Sequence, residues 1–88
     1  MYARIASKLI VVRGASSYTD LRDVIDGINQ VLLPRGYILA YFFEGTPVLG
    51  GEGFSVIVKL DRALGDAERK AILRILVNRR IVVEEDEL

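Results

Sequence analysis

The segment Tyr37-Ile38-Leu39-Ala40-Tyr41-Phe42-Phe43-Glu44 runs through seven apolar residues before its first charge. Pro34-Arg35-Gly36 precedes it and Gly45 follows. A run this short cannot span a bilayer, and its aromatic content and turn-forming flanks make it a β-strand. Past a glycine-rich connection, Gly45 to Gly53, the stretch Phe54 to Leu60 alternates Phe54, Val56, Val58 and Leu60 with Ser55, Ile57 and Lys59. That alternation marks a second, half-buried strand.

Working outward, Ser17-Tyr18-Thr19-Asp20 has the form of a capping box with a shortened acid. Leu21, Val24, Ile25, Ile28, Val31 and Leu32 follow at helical spacing until Pro34 ends the helix. Gly27 inside it costs about 1 kcal/mol relative to Ala. On the other side, residues 61–66 read as a turn and cap, residues 67–78 as a second helix, and Ile81-Val82-Val83 as a last short strand. Residues 2–13, with Ile5 and Leu9-Ile10-Val11-Val12, read as one first strand. The resulting order β-α-β-β-α-β predicts an α+β, ferredoxin-like sandwich. Two helices would cover one face of a four-stranded antiparallel sheet in the order 4-1-3-2. All 88 residues then form one domain, with residues 84–88 as an acidic tail.

Composition narrows the chemistry. The apolar fraction of 51% and charged fraction of 27% belong to a folded domain. His, Cys and Trp are absent, which removes disulfides, thiolate catalysis, His-dependent triads and the common zinc sites. Asp20, Asp23 and Asp26 along the first helix do not converge as a calcium loop does, so neither a metal nor another cofactor is expected. The apolar run Leu9 to Val12 is too short for a signal peptide, and a cytoplasmic protein is expected. Nine of the 12 basic residues are Arg, a bias that suits either a thermophile or a GC-rich genome.

Twelve basic and 12 acidic groups cancel, so the basic excess of a nucleic-acid binder is missing. The strand Phe54 to Lys59 keeps one aromatic of the RNA-recognition pattern and has Glu52 where that pattern wants a basic residue. Nucleic acid is accordingly an unfavoured partner.

The order 4-1-3-2 places the strand 37–44 at a sheet edge, where free backbone groups invite pairing. Tyr37, Leu39, Tyr41 and Phe43 form one apolar row, and Ile38, Ala40 and Phe42 the other, while helices can cover only one face. The second helix is broadly apolar as well, with Leu73 and Val77 beyond the usual stripe. Self-association as a homodimer is the expectation.

Further candidates have bland counterparts. The loop Gly14-Ala15-Ser16-Ser17 enters a helix N-terminus, where an anion finds free N–H groups, although ordinary capping by Ser17 accounts for it too. Gly45, Gly50, Gly51 and Gly53 lack the lysine and the following helix of a phosphate loop and read as a mobile hairpin loop, the alternative being a flap over a ligand or a loop that clasps a partner. Lys70, Arg74, Arg79 and Arg80 lie in a basic stretch that Glu84 and Glu85 follow with acid, a pairing of charges fit for partner contact or plain solvation.

These features favour a non-enzymatic interaction or regulatory module that self-associates through the strand 37–44 and the open sheet face, and that meets a second protein. A small viral inhibitor of a host complex would look the same. The alternatives are a small-molecule sensor of ACT-like geometry using Gly14, Ser16 and Ser17, a nucleic-acid-binding module, and a dimeric-barrel enzyme acting through Tyr37 or Tyr41.

Overall fold

Burial changes phase between Ile5 and Ile10, and the chain reverses there. Ala3 and Ile5 are buried at odd positions, Ile10 and Val12 at even ones, and a continuous strand cannot point both sets to one side. In the computed structural model, which describes residues 1–45 and 53–85 with every side chain but that of Glu85, residues 2–13 therefore fold as a hairpin. Strand β1 (Tyr2–Ile5) pairs antiparallel with β2 (Leu9–Ala15), so the single first strand predicted from sequence is corrected to two. Ala6 N–H donates to Leu9 O at 2.8 Å across the two-residue turn Ser7-Lys8.

Helix α1 (Tyr18–Leu32) follows, then a single 3-10 turn (Leu33–Arg35), strands β3 (Leu39–Gly45) and β4 (Phe54–Leu60), helix α2 (Asp66–Asn78) and strand β5 (Val82–Glu85). The sheet order is β3-β4-β2-β1-β5. Every neighbouring pair is antiparallel except β1 and β5, which run parallel with Tyr2 opposite Val82. The protein is thus an α+β fold with one mixed, five-stranded sheet and two helices, where a four-stranded antiparallel sheet was expected. The extra strand explains both differences. A hairpin strand placed between β2 and β5 reverses the direction of the neighbour β5 meets, so the return through α2 now ends beside a parallel strand.

One face of the sheet meets the helices. Ile5, Ile10, Val12, Val56 and Val58 pack there against Leu21, Val24, Ile28 and Leu32 of α1, and Ile72 and Leu76 of α2. Each fully buried aliphatic side chain of this kind contributes about 1.5–3 kcal/mol. A bulge between Val12 and Ala15, with Gly14 at φ +77°, lets both enter the core despite their odd spacing. Much of the broad apolar face of α2 is used on α1: Ile75 packs at Gly27, and Leu73 is partly buried on the core. No helix among the described residues is long and apolar enough to cross a membrane.

Candidate interaction surface

The described residues leave the outer edges of β3 and β5 and the sheet face away from the helices outside the core. At the start of β3, Asp61 N–H donates to Ile38 O at 3.1 Å, and Ile38 N–H donates to Asp61 Oδ1 at 2.9 Å. This sets the alternation of the ladder. With Leu39 opposite Leu60 and Phe43 opposite Val56, the N–H and C=O groups of Ala40, Phe42 and Glu44 turn toward β4. Those of Leu39, Tyr41 and Phe43 turn outward, along an edge with no charge and no proline between residues 37 and 43.

The side chains of the strand divide between the faces. Leu39 and Tyr41 lie on the helix side, partly buried on the core, and Tyr41 donates its hydroxyl proton to Asn29 Oδ1 on α1. Burial raises the Tyr41 phenol above its ordinary pKa, and the negative charge of Asp26 adds to the shift. Phe43 is 46% exposed and its ring lies 5.4 Å from that of Tyr18, itself exposed. On the opposite face Phe42 is 49% exposed, with Lys59 Nζ 5.0 Å from its ring centre. Ile38, 71% exposed, continues this apolar border.

Tyr37 stands apart from its predicted row. It precedes β3, is only 6% exposed, donates to Ala63 O and accepts from Gly65 N–H, both at 3.2 Å. The Arg62 guanidinium lies 4.4 Å from its ring centre. Tyr37 therefore fastens the end of the first helical segment to the β4–α2 connection inside the chain. Val77 is 56% exposed on α2, on the helix layer and not on the open sheet face.

The open face is ordered in cross-strand rows. Phe42, Ile57, Val11, Arg4 and Glu84 follow one another across the five strands. Beside this row stand Ala40, Lys59 and Leu9 on one flank, and Arg13, Tyr2 and Val82 on the other. Tyr2, Arg4 and Arg13 escaped the reading of the sequence. In one continuous strand Arg4 and Arg13 would point to opposite faces. The turn at Ser7-Lys8 brings them to the same one.

The other predicted groups lie elsewhere. Gly14 forms the bulge. Ser17 Oγ accepts from Asp20 N–H at 3.2 Å, and Ser16 Oγ donates to Asp20 Oδ2 at 3.0 Å. The carboxylate of Asp20 thus occupies the positive end of α1, and a second anion there would meet its charge. Gly45 ends β3 against the ring of Phe54, and Gly53 backs onto the carbonyl of Ala15. Gly50 and Gly51 lie outside the described residues. Lys70 and Arg74 are exposed on α2, and Arg79 and Arg80 close that helix. Glu84 lies on the open face opposite Arg4, away from these basic groups, and Glu85 ends β5. Among the described residues no group of three or more metal-binding side chains is assembled.

The chain matches no protein-family model, no curated protein and no solved structure. Its function is read from this geometry.

Proposed function

We propose that the chain is a non-enzymatic interaction module that pairs with a second copy of itself along β3. The observation that carries this reading is the outward set of backbone groups at Leu39, Tyr41 and Phe43 on an uncharged edge. Three hydrogen-bonding residues spaced symmetrically about Tyr41 are self-complementary under a twofold axis. Leu39 of one copy then meets Phe43 of the other, Tyr41 meets Tyr41, and Ala40 lies beside Phe42 in the closer, non-hydrogen-bonded pairs. A small side chain beside a large one fills that contact.

The fold is read as a ferredoxin-like frame in which the β1–β2 hairpin takes the place of the first strand. Pairing at β3 leaves the open sheet faces of both copies continuous. It also leaves the basic groups Lys70 and Arg74 of α2 free to meet a second, acidic protein.

The test is the solution mass of the parent and of Phe43→Pro. Proline at 43 removes an outward N–H and spares the ladder to β4, so the fold is retained. The expected result is a parent of twice the 9.8 kDa chain mass and a variant of the single mass. A parent that stays single at about 100 µM, well above the micromolar affinities typical of weak specific pairs, refutes the pairing, as does a variant of unchanged double mass.

A further inference from the structure

We infer that the open sheet face holds a second site, a groove for a small amphipathic organic anion whose head is bound by Arg13. The groove has a volume of about 490 Å³, within the range of small-molecule sites. Leu9, Val11 and Ile57 supply its apolar floor, each partly accessible on the side of the sheet that the helices leave uncovered. Arg4, Arg13 and Glu84 are its charged members.

The two arginines differ in what faces them. Arg4 stands opposite Glu84 in the β1–β5 register and is already engaged. Arg13 stands opposite Tyr2, and no hydrogen bond or ion pair engages it among the described residues. The bulge that begins after Val12 leaves Arg13 without a direct partner on β4, and the ring of Tyr2 lies 3.6 Å from the position a Cβ would take on Gly14. A guanidinium beside a phenol at one end of an apolar trough is a fitting receptor for one carboxylate. Glu84 at the far side disfavours a second negative group.

The spacing sets the size of the guest. Arg13, Val11 and Leu9 project from the same face of β2, and the four residue steps from 13 to 9 span about 13 Å. That accommodates an anionic head and a linear or aromatic body of eight to ten carbons. The chemistry is that of a free medium-chain or aryl carboxylate, carried as a single molecule, and it does not depend on pairing at β3.

Titration of the 15N-labelled protein with octanoate, followed by amide shifts, tests this directly. Saturable shifts at Tyr2, Val11, Arg13 and Ile57 are expected. Arg13→Gln should weaken binding about tenfold or more, in keeping with loss of a charged hydrogen bond, whereas Arg13→Lys should restore most of it. Octan-1-ol should bind the parent about tenfold more weakly than octanoate. Shifts confined to other residues, or equal affinities for octanoate, octanol and the Gln variant, would overturn the site. Binding to phosphatidylglycerol vesicles without binding to free octanoate would also overturn it, in favour of a lipid surface. The monomeric Phe43→Pro variant should bind octanoate as the parent does, so the two readings fail separately.

Discussion

The Cγ2 of Ile75 stands 3.0 Å from the point where a Cβ on Gly27 would be, so this contact between the two helices is built on a missing side chain. A glycine that weakens α1 on its own thereby lets α2 approach closely. Gly27→Leu should cost about 1–3 kcal/mol through overpacking. Gly27→Ala trades better helix propensity against the crowded Ile75, and should be less unfavourable in an Ile75→Val background. A coupling of about 0.5–1 kcal/mol in a double-mutant cycle by denaturant titration is the expected outcome. Strict additivity would mean the helices shift apart at no cost.

The same terminal motif closes both helical segments with different residues. After the 3-10 turn, Tyr37 N–H donates to Leu32 O and Gly36 N–H to Leu33 O, with Gly36 at φ +83°. After α2, Ile81 N–H donates to Leu76 O and Arg80 N–H to Val77 O, with Arg80 at φ +60°. Each is the six-to-one, five-to-two pattern of a helix end, and only one has glycine in the left-handed position. Arg80→Gly should raise stability by about 1 kcal/mol, while Gly36→Ala should lower it by a similar amount. Thermal or denaturant unfolding of the two variants checks both signs.

Tyr37 makes its two hydrogen bonds to backbone groups of the connection before α2. Tyr37→Phe keeps the ring and strands both partners, so a loss of about 1–3 kcal/mol is expected. The solution mass should not change, because the hydroxyl lies inside the chain. A change of mass without a change of stability would place this residue at an interface after all.

Tyr41 gives a pH dependence. Burial raises its folded pKa above the ordinary phenol value of 10.0, so the folded state holds the phenolic proton more tightly than the unfolded chain. The contribution is fully present below pH 10 and is lost as pH rises from there through the folded pKa. Tyr41→Phe should therefore show a shallower loss of stability above pH 10 than the parent. In the phenolate absorbance, Tyr41→Phe should remove a component that ionises above pH 10.

Both helices, the pair β3–β4 and the edge position of β3 were legible in the sequence, because their apolar spacing and flanking Ser17, Pro34 and Gly45 are local signals. The hairpin was not. Its turn uses Ser7-Lys8 with no positive φ, so it lacks the Asn-Gly chemistry that announces a tight hairpin. The turn is supported from a distance: Leu60 N–H donates to Lys8 O and Leu64 N–H to Ser7 O. Apolar Leu9 and Val11 further hid the change of phase, since they fill the open face where polar residues usually mark the outside. Missing the hairpin meant missing the groove, since Arg4, Arg13 and Tyr2 share a surface only once the chain has turned.

The parallel pairing of β1 with β5 has a consequence for the order of assembly during synthesis. Tyr2 leaves the ribosome 80 positions ahead of Val82, the residue it will face. Until then the nascent sheet ends at β1, a strand with its own unsatisfied flank, and Met1 O lacks the Val82 N–H that later bonds to it. Contacts this remote in sequence close late and slowly. Docking of β5 moves that free flank from β1 to a four-residue strand that carries Glu84 and Glu85, so the finished sheet ends in β3 and in a short, charged edge. Removing residues 82–85 should for this reason promote aggregation during expression more than its small loss of buried surface would suggest.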